Sequence, residues 1–176
     1  AGATTDDGST VVIDDSAETL MCKYKGAVAG THADFGVYSF EKSKHMTSGS
    51  EGGMIITNNE NYAILARKFA GIGYKGLTAS AGRTSLASSV YQDPDYERFD
   101  TIGFNYRMNA ISAAVGLAQF ERIDHLVERR RCIGSMFLEA VKNCHWIETQ
   151  EIPEHSEHGY FTFGMRYLGD KERDVR

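Results

Sequence analysis

Apolar and polar positions alternate with enough regularity to divide most of the chain into elements. Thr10 to Ile13 (TVVI) is a β-branched run that stops at Asp14 and Asp15, as buried parallel strands do when they end at a functional edge. Phe35 to Phe40 (FGVYSF) and Gly53 to Thr57 (GMIIT) predict two more strands, the last leading to Asn58 and Asn59, both suited to a helix N-cap. Tyr62, Leu65, Ala66 and Phe69 then recur at i, i+3, i+4 and i+7, which predicts a helix over 60–70 that ends near Gly71 or Gly73.

Residues 72–104 are rich in Gly, Ser, Thr and Asp with no sustained period, and predict a long loop holding at most one short element. Loops of that length inside compact domains are often functional, and we expect a substrate lid here. Past Asn109, another N-cap candidate, Ile111, Val115 and Ala118 line one helical face. A longer helix, 124–143, carries Leu126, Phe137, Leu138 and Val141 on its apolar side. The charges Glu128 to Arg131 (ERRR) are expected on its solvated face rather than around a phosphate. After Cys144 come a charged linker, IETQEIPEHSEHG, and a strand-like run, FTFGMRYL, so a second domain is expected to begin over 144–176. The start at AGATTDDGST without methionine and the stop at KERDVR suggest an internal piece of a longer chain.

Composition narrows the class. With 41% hydrophobic and 11% aromatic residues, the 176-residue chain has material for one sizeable core. Twenty-four acidic against 19 basic residues give a formal charge of -5, which argues against nucleic acid as the main partner. Cys22, Cys132 and Cys144 are few, odd in number and widely spaced, so neither a disulfide framework nor a structural zinc site is indicated, and a reducing cytoplasm fits best. No apolar run reaches the roughly 18 residues of a membrane span, and the N-terminus lacks a secretory pattern. His155 and His158 (HSEH) have a metal-like spacing without a supporting carboxylate or cysteine framework, and are read as linker residues.

The segment Ser39 to Gly53, SFEKSKHMTSGSEGG, places a hydroxyl at a strand end, a lysine five positions on, and then a glycine-rich turn. Alone it also fits an ordinary polar turn with two lysines. A lysine forms an imine with an aldehyde cofactor only when its amine is partly neutral, which burial or a nearby cation favours, and Lys44 sits where a buried strand gives way to a turn. Asp15 ends the first strand, where a carboxylate could face a pyridine nitrogen, and Ser39 could meet a phosphate. Two strand ends would then converge on one ligand, as in open α/β sheets. His45 could touch that ligand or be a plain turn histidine.

Three strings carry a resemblance to a known family: VIDDSAET (12–19), SFEKSKHMTSGSEGGMIITN (39–58) and GFNYRMNAISAAVGLAQFERID (103–124). Together, in this order, they resemble the DegT/DnrJ/EryC1/StrS group of pyridoxal 5'-phosphate (PLP)-dependent sugar aminotransferases. The resemblance covers roughly residues 10–143. It implies an α/β chain of fold type I: residues 1–143 would be the C-terminal part of the large, mostly parallel-sheet domain, and 144–176 the start of the small one. It further implies Asp15 at the pyridine nitrogen, Ala17 packed on the ring, Ser39 at the phosphate, and Lys44 as the residue that holds the cofactor as an imine and moves the proton. Gly52 and Gly53 would form the glycine-rich turn. Asn105 would reach the phosphate of the partner subunit in a homodimer. Lys42 is the rival amine, at the wrong offset from Ser39. Glu18 departs from the Gln or His usual at its position and is a weaker cofactor contact.

The implied reaction moves an amino group from an amino acid such as glutamate or glutamine to a keto sugar, expected to be nucleotide-linked. Related sugar dehydratases carry histidine where this chain has Lys44. A non-catalytic scaffold on the same fold is the further alternative. Family members are longer, and the resemblance implies that the absent N-terminal part carries another phosphate-binding turn and a ring-stacking aromatic, so these 176 residues alone should not form a working site.

Overall fold

A computed structural model describes residues 2–4, 8, 10–80 and 87–169. The start and stop strings AGATTDDGST and KERDVR and the 81–86 stretch of the expected lid therefore lie wholly or partly outside the described residues. In chain order the elements are β1 (Gly2–Thr4), β2 (Thr10–Asp15), β3 (Lys23–Tyr24), β4 (Ala27–Val28), β5 (Phe35–Ser39) and β6 (Gly53–Ile56). There follow α1 (Glu60–Ala70), α2 (Ser88–Tyr91), α3 (Ala110–Phe120), α4 (Ile123–Val141), β7 (Ile147–Thr149), β8 (Ser156–Glu157) and β9 (Met165–Tyr167).

The principal sheet has the order β1-β2-β5-β6. β2 and β5 run parallel, whereas β1 and β6 pair antiparallel at the two sides. Parallel pairing needs a crossover, which residues 16–34 supply through the β3–β4 hairpin rather than through a helix. The crossover returns tightly over β5. A Cβ on Gly36 would come within 2.0 Å of the Gly30 carbonyl, and Gly30 itself has φ +89, so neither position accepts a side chain without a shift.

Register assigns the faces. Ile13, Asp14 and Asp15 lie beside Phe35, Gly36 and Val37. Side chains alternate along a strand, so Asp14, Gly36 and Tyr38 share one face while Asp15, Val37 and Ser39 share the other. The first face is covered: Tyr38 packs into a core with Leu20, Phe40, Met46, Ile123 and Val127, the last two from α4. On the second, Ile13, Phe35 and Val37 line an open groove of about 1070 Å³ together with α1 residues such as Leu65 and Phe69.

Of the three expected N-cap candidates, Asn59 and Asn109 cap their helices and Asn58 does not. Asn59 accepts the amides of Asn61 and Tyr62, and Asn109 accepts that of Ser112, which satisfies N–H groups that a first helical turn leaves open. α1 ends at Gly71 as expected. Among the described residues of 72–104 the one short element is α2, as expected, and contacts tie the two ends of the loop: Tyr74 stacks on Phe99 at 5.0 Å and Lys75 N–H donates to the Arg98 carbonyl.

Two expectations require correction. Arg130 and Arg131 are not a solvated face, because both reach main-chain carbonyls across the molecule. The stretch after Cys144 is not a plain linker either: it holds β7, which pairs with β9, and β8, which pairs with β3. Only Met165–Tyr167 of FTFGMRYL is strand, and His158 is half-buried, bonded to Gln150 and to the Tyr160 amide. Pairings this short leave no periodic trace in sequence.

Candidate active site

The site forms where β2 and β5 end side by side. Asp15 is the last residue of β2 and Ser39 the last of β5, on the same face of a parallel pair. Asp15 is exposed, and its carboxylate accepts the Ala17 amide at 3.2 Å, which curls the chain away from the sheet. Asp14 does different work on the opposite face. Its two oxygens accept the Gly30 amide at 2.9 Å and the Ser16 hydroxyl at 2.8 Å, fastening the crossover to β2.

Beyond Ser39 the chain makes a closed turn, pinned by Phe40 N–H to Gly52 O, Lys42 N–H to Ser50 O and Ser48 N–H to Phe40 O. Gly53 then enters β6 opposite Ser39, where a Cβ would meet the Tyr38 carbonyl at 2.6 Å. Glu41 accepts both the amide and the hydroxyl of Ser43. Those two hydrogen bonds hold its carboxyl below the usual carboxylate range. The Ser39 hydroxyl accepts the Glu41 amide at 3.3 Å and, as a hydroxyl, retains a proton to donate.

Lys44 extends from this turn toward the end of β2. Its Nζ lies 3.0 Å from a Glu18 carboxylate oxygen and 4.4 Å from the centre of the Phe161 ring. The lysine side chain is 16% exposed against 56% for Glu18. Lys42, by contrast, is exposed. The neighbouring His45 is 3% exposed and points inward to the Gly159 carbonyl at 3.2 Å, with its other ring nitrogen unpaired. Burial, reinforced by the nearby Arg130, keeps it below the usual histidine range, although the Gly159 hydrogen bond opposes this.

Asp15, Ala17, Glu18, Ser39 and Lys44 are thus brought to one edge. Asn105 is not part of it: it bridges to Gly71 beyond α1 and accepts from Arg107, and no described hydrogen bond joins it to the other five. Two participants escaped the sequence reading. Arg130, from α4, donates to the carbonyls of Ser43 at 3.3 Å, Lys44 at 3.0 Å and Phe161 at 3.4 Å. Phe161 supplies the ring beneath the amine. A signal for Arg130 was present, since Ile123, Val127 and Gly134 are the buried residues of α4 and their spacing puts 130 and 131 on the same stripe. Phe161 had none. Among the described residues no cluster of His, Cys, Asp or Glu could hold a metal ion, and no helix is long and apolar enough to cross a membrane.

Paired strand ends with a serine-to-lysine turn across them define a portion of the fold type I α/β architecture. The chain belongs to the DegT/DnrJ/EryC1/StrS aminotransferase family, whose model matches residues 3–175. It is 39% identical over 126 residues to GDP-perosamine synthase of Caulobacter vibrioides, covering 70% of this chain and 29% of that protein. The solved structure of E. coli GDP-4-keto-6-deoxy-D-mannose-3-dehydratase with bound hydrated PLP superimposes with a TM-score of 0.76 at 25% identity, covering 93% of this chain and 41% of that one. An aminotransferase from Psychrobacter cryohalolentis gives 0.72 at 26% identity, covering 86% and 38% respectively. The chain therefore spans less than half the length of each of these proteins.

Proposed function

We propose that the protein carrying this chain is a PLP-dependent aminotransferase that moves an amino group from glutamate or glutamine to a keto sugar, nucleotide-linked, with Lys44 as the residue that binds the cofactor covalently. The observation that carries this reading is the convergence of Asp15, Ser39 and Lys44 at one sheet edge, with Lys44 extended toward the end of β2. The residues fit the cofactor. Asp15 offers an exposed carboxylate engaged only by a main-chain amide among the described hydrogen bonds, which suits a protonated ring nitrogen. Ser39 offers a hydroxyl at the strand end for a phosphate, and Ala17 is small enough to lie flat beneath a ring. When bound, PLP supplies an electron sink for the carbanion formed at the substrate carbon.

The chain's own residues do the rest. Lys44 carries a proton to and from the carbon under attack, and Glu18 lies within hydrogen-bonding reach to hold that amine when it is free. Asn105 serves a phosphate in the partner subunit of a homodimer, which accounts for its separation from the other five. Residues 1–143 belong to the large domain, and 144–176 open the small one.

Incubation with PLP followed by borohydride and peptide mass spectrometry tests the assignment, with the adduct expected on Lys44 and absent from Lys44→Ala. An equal adduct in that variant sinks it. A sugar dehydratase is the second reading, favoured by the superposition on the dehydratase from E. coli. Lys44 stands where the resemblance places histidine in dehydratases, so the product should gain nitrogen rather than lose water.

A further inference from the structure

Lys44 is held from three sides by groups outside its own turn. The Glu18 carboxylate meets the amine at 3.0 Å and the Phe161 ring face meets it at 4.4 Å. Both a carboxylate and the negative face of an aromatic ring attract an ammonium more strongly than a neutral amine. Arg130 fixes the parts relative to each other: one guanidinium donates to the carbonyls of Ser43, Lys44 and Phe161, tying the lysine turn to the segment that carries the ring. That guanidinium also lies 5.8 Å from the Phe161 ring centre. On the same turn, the Glu41 carboxylate is taken up by Ser43, and Lys42 carries a further charge, exposed to solvent.

We infer that Glu18 and Phe161 form a resting seat for the charged Lys44 amine, occupied whenever that lysine is not joined to the cofactor, with Arg130 as the positioning residue that keeps the seat assembled. This rests on the function proposed above, in which Lys44 must be released during each turnover and hold a proton while free. It gives the departure at position 18 a purpose, because a glutamine there would attract the ammonium less than a carboxylate does. It also assigns Phe161, from beyond the expected domain boundary, a role at the site.

The test reads Lys44 itself, in the full chain without cofactor. Limited acetylation with acetic anhydride is quantified lysine by lysine by mass spectrometry, with the exposed Lys42 as internal standard. A cation over a ring is worth about 0.5–2 kcal/mol, so losing it should leave the amine about 2- to 30-fold more often out of its seat. At about pH 7, Phe161→Leu should therefore raise the Lys44 to Lys42 labelling ratio by that factor, Phe161→Tyr should keep the wild-type ratio, and Glu18→Gln should raise it. An unchanged ratio in Phe161→Leu at neutral pH overturns the inference. So does an unchanged ratio in Glu18→Gln, which leaves the ring in place and would mean that Phe161 only blocks access. If the wild type yields no borohydride-trapped adduct with PLP on Lys44, the proposed function fails instead, whatever the labelling shows.

Discussion

Replacing Asp14 and Asp15 separately by alanine should divide what fastens the sheet edge from what faces the cofactor. Asp14 accepts the Gly30 amide at 2.9 Å and the Ser16 hydroxyl at 2.8 Å in a half-buried position. Hydrogen bonds to a charged group are worth roughly 1.5–3 kcal/mol each, and partial exposure favours the lower end. The Gly30 amide would also lose its acceptor under the crossover. Asp14→Ala should cost about 2–4 kcal/mol, which for a domain of this size lowers the melting temperature by roughly 5–15 °C. Asp15 is exposed and accepts one amide at 3.2 Å, so Asp15→Ala should cost about 1 kcal/mol or less. Its effect should fall on cofactor retention, measured by the absorbance of PLP that survives gel filtration. Thermal melts and retention assays on both variants decide the matter. If the two variants melt together, or if Asp15→Ala retains PLP as the wild type does, the division of labour drawn from the register of β2 on β5 is wrong.

Other consequences are as direct. A Cβ on Gly134 would come within 2.5 Å of the Tyr160 ring, so Gly134→Ala should destabilise by about 1–3 kcal/mol in urea titrations despite improving helix propensity. Asn59→Ala removes the acceptor for two first-turn amides of α1 and should cost about 1 kcal/mol by the same measure. Burial holds both His45 and His158 below the usual histidine range. The unfolded chain therefore binds protons more readily than the folded one, so stability is full above about pH 6.5 and falls as pH drops through that value toward the lower folded ones. His45→Gln should flatten this slope in melts between about pH 5 and 7.5, and an unaltered slope would remove His45 as its source.

Elements with many residues on one local period were legible. The β-branched TVVI run, the spacing of Tyr62, Leu65, Ala66 and Phe69, and the two asparagine caps each lead to an observed element within a residue or two of the expected bounds. The two-residue strands β3, β4 and β8 were not: the β3–β4 hairpin is too short to show a period, and pairing Lys23 with Glu157 expresses a long-range closure that no window of sequence contains. The contact of Tyr74 with Phe99 across the 72–104 loop was invisible for the same reason.

The site divides along the same line. Asp15, Ser39 and Lys44 belong to contiguous strings, and their positions at strand ends follow from those strings. Arg130 lies in ERRR, whose composition is identical for an arginine in water and one that satisfies three carbonyls; only the buried stripe of Ile123, Val127 and Gly134 distinguishes them. This distinction has a chemical consequence. A guanidinium presents five N–H donors in a fixed plane, whereas an ammonium is a compact point donor, so Arg130→Lys cannot bridge the lysine turn and the Phe161 segment in the same way. Charge at position 130 is therefore secondary to shape, and the Lys44 turn and the Phe161 segment depend for their placement on a residue that charge alone assigns to the solvent.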